Sequence, residues 1–338
     1  MVLCKMLKQY FDSFFEDEAQ KIAFRATCSD TFTNSEVSSW LYAEDRFKKM
    51  LPYDNLNSFY VEVNKNASTF IKKIFEKYVD ADTFVIGAIE HTTIRSCMDN
   101  IQNKLSLNWN VIKKHNIDTI INKFKESNCK KIFVYGMGIL NFQVVPQSFY
   151  IKLKERLSEE NIEHVIVLDD VQGMFIVPRD YSIFDDIIFT CHALIPNFDL
   201  GILLSKTHKD LGYADAEKLN KFLDLLDLLF TKKDKLLMFN LMLKQYFAEE
   251  LGSGLFNIPE YSTLNIFSIT YNNEKIKSIL TRYKDSLDNE SGIEIEDLSI
   301  TVRASFLLRL NTEQILEELK QLKDILQKCI KLNNRLQQ

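Results

Sequence analysis

VIVLDDVQGMF, residues 165–175, is a run of branched apolar side chains that closes on two adjacent acids. Its first half reads as a strand covered on both faces, since an uninterrupted Val/Ile/Leu run leaves no polar side for water. Asp169 and Asp170 then stand where the strand leaves its sheet, with Gln172 just beyond. Carboxylates are mostly solvated. A pair closing a buried strand therefore marks either the start of a wet loop or a site with a charged partner.

The flanking sequence alternates in period. SFYVEVN (58–64), DTFVIGAIE (82–90), KKIFVYG (130–136) and EHVIVLDD (163–170) read as strands, separated by helical patterns such as STFIKKIFEKY (68–78) and PQSFYIKLKERL (146–157). Such a series predicts a mostly parallel sheet wrapped by helices, with ligands at the carboxyl ends of the strands. DIIFTC (186–191) and FDLGILLSK (198–206) add two short strands, followed by a helical tract to about residue 250 that FTKKDK interrupts. From NIFSITY (265–271) the pattern is strand, helix, strand, strand and a closing amphipathic helix. The expected division is an N-terminal arm (1–57), a large α/β domain (58–255) and a small α+β domain (256–338). The hexapeptide MLKQYF occurs at 6–11 and 242–247 without a sustained period, and reads as coincidence.

With 338 residues and 46% apolar content the chain can bury a substantial core. A net charge of −5 without a basic block argues against nucleic acid or an anionic membrane surface as partner. No run approaches the roughly 20 apolar residues of a membrane span. Six scattered cysteines without a CxxC pair point to reduced thiols and a cytoplasmic protein, with no zinc site expected. The N-terminal arm, with SFF and WLY taken as exposed, suits packing into a homodimer.

Polar residues gather at the strand ends. Asn66, Ala67 and Ser68 follow the first strand, His91 the second, Asn141 the third, Asp169 and Gln172 the fourth, Thr190 and His192 the fifth. Convergence of several polar groups on one sheet edge is how a small-molecule site is built.

The order and spacing resemble the pyridoxal-phosphate (PLP) enzymes of fold type I, most nearly the class V aminotransferase and cysteine desulfurase branch. LDDVQ matches the D-x-x-Q that gives an Asp to the pyridine nitrogen and a Gln to the phenolic oxygen, so the resemblance assigns these roles to Asp169 and Gln172. EHTT matches the segment whose His, here His91, stacks on the ring. NKNAST (64–69) and TCH (190–192) stand where the phosphate is held. VRASFLLRLNTEQI roughly follows R-x-S-x-x-x-x-N-T through Arg303, Ser305, Asn311 and Thr312, with five residues between the Ser and the Asn where the pattern has four, and the resemblance implies that Arg303 is the ligand of a substrate carboxylate. The resemblance implies PLP as cofactor, a seven-stranded, mostly parallel sheet with helices on both faces in the large domain, a homodimer, and an amino or keto acid substrate handled through an external aldimine. Asp170 is expected to face solvent or cap the turn.

The lysine that such enzymes use is missing. One alignment puts His192 in its slot and another Ala193, while Lys209 in THKDLG lies farther along than the pattern expects. A His-based dehydratase-like enzyme, a lysine-to-alanine variant of an aminotransferase or lyase, and an inactive scaffold all remain open. Residues 264–302 contain no Cys nucleophile, which disfavours desulfuration.

Overall fold

The computed structural model describes residues 2–12, 14, 40–51, 56–88, 92–108, 111–112, 116–140, 143–171, 173, 179–191, 198–207, 210–231, 233–258, 266–271, 274–284, 293–295, 299–303 and 311–336. The chain divides into two compact units: residues 34–193 with 198–223, and residues 1–33, 194–197 and 224–338.

The first unit is built on strands β1 (Tyr60–Asn64), β2 (Thr83–Gly87), β3 (Lys104–Ser106), β4 (Lys131–Met137), β7 (Glu163–Asp169), β8 (Asp186–Thr190) and β9 (Gly201–Ser205), with a hairpin of β5 (Ile139–Leu140) and β6 (Gln143–Val144) beside them. The seven form one sheet in the order β1-β9-β8-β7-β4-β2-β3. Only β9 opposes its neighbours, antiparallel to both β1 and β8. β2, β8 and β9 are buried along their whole length, as their apolar runs require of a sheet covered on both faces.

Helix Ala67–Tyr78 starts at Asn66, whose side chain accepts from the Thr69 backbone N–H. Phe70, Ile71, Ile74 and Phe75 form its buried stripe and pack on Val85, Phe133, Tyr135, Val167, Ile188 and Leu203 from five strands. Each such side chain is worth about 1.5–3 kcal/mol when buried. Residues of the other parity meet partners on the opposite face: Phe84 packs on Phe124 of helix Ile117–Glu126, and Phe189 on Phe47 of helix Trp40–Met50. The sequence pattern predicts neither β3 nor the β5–β6 hairpin and gives a single helix between β2 and β4. KLS is too short, and too exposed at Lys104, to show a period.

The second unit holds an antiparallel sheet, β10-β11-β13-β12, made by β10 (Phe256–Asn257), β11 (Ile266–Tyr271), β12 (Ile293–Ile295) and β13 (Ser299–Arg303). Helix Thr312–Leu336 opens on a capping box: Asn311 Oδ1 accepts from Gln314 N–H at 2.9 Å, and Gln314 Oε1 accepts from Asn311 N–H at 3.0 Å. Thr312 Oγ1 also donates to Asp12 at the end of helix Val2–Asp12, at 2.7 Å. Phe14 is buried, not exposed as the SFF group was expected to be. Both copies of MLKQYF are helical, the second as far as Tyr246, and in each the Leu and Phe are buried while Lys and Gln are exposed. An amphipathic helix imposes that pattern on any such hexapeptide.

Candidate functional site

The carboxyl ends of β1, β2, β4, β7 and β8 share one edge of the large sheet. Asp169 closes β7, paired with Met137 of β4 on one side and Ile188 of β8 on the other. Its side chain is buried, as expected for the end of this strand. Oδ2 accepts from the Tyr135 hydroxyl at 2.7 Å, and Oδ1 accepts from Val171 N–H at 3.2 Å. The strand-end backbone is fixed as well: Asp169 C=O accepts from Gly138 N–H at 2.7 Å.

Asp170 departs from expectation. It is fully buried instead of solvated, and two side chains from farther along the chain, Arg179 and Tyr181, supply it with partners. Tyr181 donates to Oδ2 at 2.5 Å, and Arg179 Nε stands 3.4 Å from Oδ1, an ion contact longer than a hydrogen bond. Arg179 also donates to Val145 C=O at 3.0 Å and to Gly138 C=O, so one guanidinium ties the turn after β4, the segment just after β6 and the second acid together. The close approach is permitted by two glycines. A Cβ at Gly138 would lie 1.9 Å from Asp170 Oδ1, and one at Gly173 2.2 Å from it. Burial pushes the Asp170 carboxyl up from its ordinary range, against the opposing pull of Arg179 and Tyr181.

At the other end of the same edge lies the start of helix Ala67–Tyr78. Asn66 Oδ1 accepts from both the backbone N–H and the hydroxyl of Thr69, each at 2.9 Å. Ser68 Oγ accepts from Thr93 Oγ1 at 3.1 Å, joining this helix start to helix Thr92–Met98. β9 begins directly beneath. A Cβ at Gly201 would come within 2.4 Å of the Asn66 carbonyl carbon and 2.6 Å of Ala67 N. Gly201 pairs with Asn64 and with Thr190, which places buried Thr190 in the same row as Asn64, two residues before the helix cap Asn66. The N-terminus of a helix this long favours an anion.

The structure thus brings Asn66, Ala67, Ser68, Asp169 and Thr190 to one sheet edge. His91, Asn141, Gln172, His192 and Ala193 lie outside the described residues, as does Lys209. β9 ends at the opposite edge at Ser205, paired with Tyr60 and Asp186 at the starts of their strands, and by Leu211 and Tyr213 the chain is again beside Asn64 and Val63 near the carboxyl end of β1. Arg303 ends β13 in the other unit. Asn311, read as part of a family motif, serves as a helix cap. Tyr135, Arg179 and Thr93 are additions that the sequence reading did not single out. Among them Tyr135 carried the most signal, a polar tip inside an otherwise apolar strand.

No family model matches the sequence, and no curated protein is similar to it. Solved structures are. A NifS-like protein from Rickettsia africae is 14% identical with a TM-score of 0.59, covering 90% of this chain and 95% of its own. Serine palmitoyltransferase from S. paucimobilis, solved with a PLP–myriocin aldimine, is 11% identical with a TM-score of 0.60, covering 92% and 84%. A PLP-bound C–S lyase from Staphylococcus hominis is 11% identical with a TM-score of 0.58, covering 91% and 84%. The chain has the fold of PLP fold-type I enzymes: an α/β unit with a seven-stranded, mostly parallel sheet and an antiparallel α+β unit.

Proposed function

We propose that this chain binds PLP and acts on an amino acid as a transferase or lyase. The observation that carries the reading is the buried carboxylate of Asp169 at the end of β7, on the same sheet edge as a helix N-terminus underlain by Gly201. These residues fit the group. A carboxylate accepts about four hydrogen bonds, so the donors Tyr135 and Val171 are compatible with a pyridinium N–H as well. The Asn66–Ser68 turn with Thr190 offers backbone amides and hydroxyls for a phosphate.

When bound, PLP supplies an electron sink for a bond broken at the substrate α-carbon. In this reading Asp169 keeps the ring nitrogen protonated, His91 stacks on the ring, and Asn141 and Gln172 contact its substituents. Arg303 binds the substrate carboxylate through paired hydrogen bonds. Either His192 or Ala193 occupies the lysine slot. Exposed Leu41 (76%) and Tyr42 (59%) on helix Trp40–Met50 support a homodimer, which sedimentation at micromolar concentration tests. No helix among the described residues is long and apolar enough to cross a membrane. Free thiols at Cys97, Cys129, Cys191 and Cys329 suit a cytoplasmic setting.

The test is a PLP titration of the purified protein followed by visible absorbance. Saturable binding is expected, about 10–100-fold weaker in Asp169→Ala through loss of a charge-assisted hydrogen bond. A chain that takes up no PLP would instead support the second reading, a binding or scaffold protein that keeps the fold. The non-lysine residues at 192 and 193 are what favour that alternative.

A further inference from the structure

We infer that Tyr135 is a positioning residue: its hydroxyl fixes the rotamer of Asp169 and holds that carboxylate ionised, ready to keep a bound ring nitrogen protonated. The last clause rests on the PLP reading above; the first does not. Tyr135 is fully buried on β4, two residues before Met137, the register partner of Asp169. A buried hydroxyl has to donate somewhere. Its acceptor is Asp169 Oδ2 at 2.7 Å, a well-formed O–H···O bond at the upper end of the charge-assisted range.

The ring cannot drift, because it packs in the core against Phe75 with centroids 5.6 Å apart. Its hydroxyl also keeps its proton. Burial first, and then the charge of Asp169, push the Tyr135 phenol well above its ordinary range, so it remains a donor wherever the protein is folded. Donation to the ionised form of a carboxylate favours that form. Val171 N–H on Oδ1 acts in the same direction. The neighbouring titratable and charged groups are Asp170, one residue on, Arg179 beside it, Tyr150 from helix Gln147–Glu159 and Cys97 from helix Thr92–Met98. Each is retained in the variants below and so cancels from the comparison.

The experiment uses Tyr135→Phe, which keeps the packed ring and removes only the donor. In cofactor-free protein, carbon-13 NMR of the Asp169 carboxyl should show its titration midpoint rising by about one pH unit. With PLP labelled at the ring nitrogen as the probe, nitrogen-15 NMR should show the proton shifting from the ring toward Asp169, and affinity should fall about tenfold. An unchanged carboxyl midpoint overturns the inference, because a merely structural tyrosine would leave it where it was. If the midpoint moves but wild-type protein binds no PLP, the role of Tyr135 stands and the cofactor reading fails. Should Tyr135→Phe not fold, 3-fluorotyrosine placed at position 135, a stronger donor of nearly the same shape, should lower the midpoint; no movement there overturns the inference equally.

Discussion

Arg179 Nε lies 3.4 Å from Asp170 Oδ1, and both side chains are shielded from solvent. Taking one partner from such a pair strands the other charge in a poor solvent, at a cost of about 3–5 kcal/mol. Asp170→Ala and Arg179→Met should each destabilise by that much, and the double variant by less than their sum. Urea midpoints of the three proteins decide it. A shift near zero for Asp170→Ala would return the residue to the solvated role first expected of it.

The same carboxyl gives a pH dependence. Burial raises Asp170 above its ordinary value, so the folded protein binds this proton more tightly than the unfolded chain does. The contribution is therefore fully present below the ordinary carboxylate range and is lost as pH rises through the elevated folded value. Relative to Asp170→Asn, wild-type stability should decline across that window. A difference that stays flat or grows with pH would show that Arg179 outweighs burial.

The glycines offer an independent check. Gly138→Ala would drive a methyl group to 1.9 Å from Asp170 Oδ1, and overpacking of this kind costs about 1–3 kcal/mol. In an Asp170→Ala background the obstructing oxygen is gone, and Gly138→Ala should become nearly neutral. Equal costs in the two backgrounds, by chemical denaturation, would place the conflict elsewhere.

How legible these features are in sequence depends on range. β2, β4, β7, β8 and β9 are near-continuous apolar runs, and Asp169 is found by being where one of them stops. The burial of Asp170 has no such signature, since its partners Arg179 and Tyr181 come from beyond a segment without regular period. A clue was present in Gly138 and Gly173, two of only nine glycines, one shortly after each adjacent strand. Glycines at strand ends signal close backbone approach, though not what approaches. Asn311 shows the converse. N-T before a helical run matches a family motif, yet the capping box with Gln314 explains it by local physics alone.

That local explanation is testable. Asn311→Ala should lower stability by about 1 kcal/mol, the usual cost of a lost cap, without altering the PLP titration. A matched loss of cofactor affinity with stability preserved would assign Asn311 to the site and demote the cap.

The lysine slot is decided by chemistry at positions 192 and 193. A primary amine within reach of the PLP aldehyde gives a yellow chromophore that borohydride removes, and burial beside the cofactor lowers the pKa of that amine, favouring the neutral nucleophile. If Ala193 occupies the slot, Ala193→Lys should generate the reducible band while His192→Lys does not. If His192 occupies it, the outcomes reverse, and the histidine becomes the candidate base for dehydratase-like chemistry. Lys209→Ala should leave the spectrum unchanged in either case, because Lys209 follows Asp169 by 40 positions, farther than the resemblance expects of the lysine. A yellow, reducible adduct in the unaltered protein that vanishes with Lys209→Ala would overturn both assignments and restore a lysine-dependent enzyme.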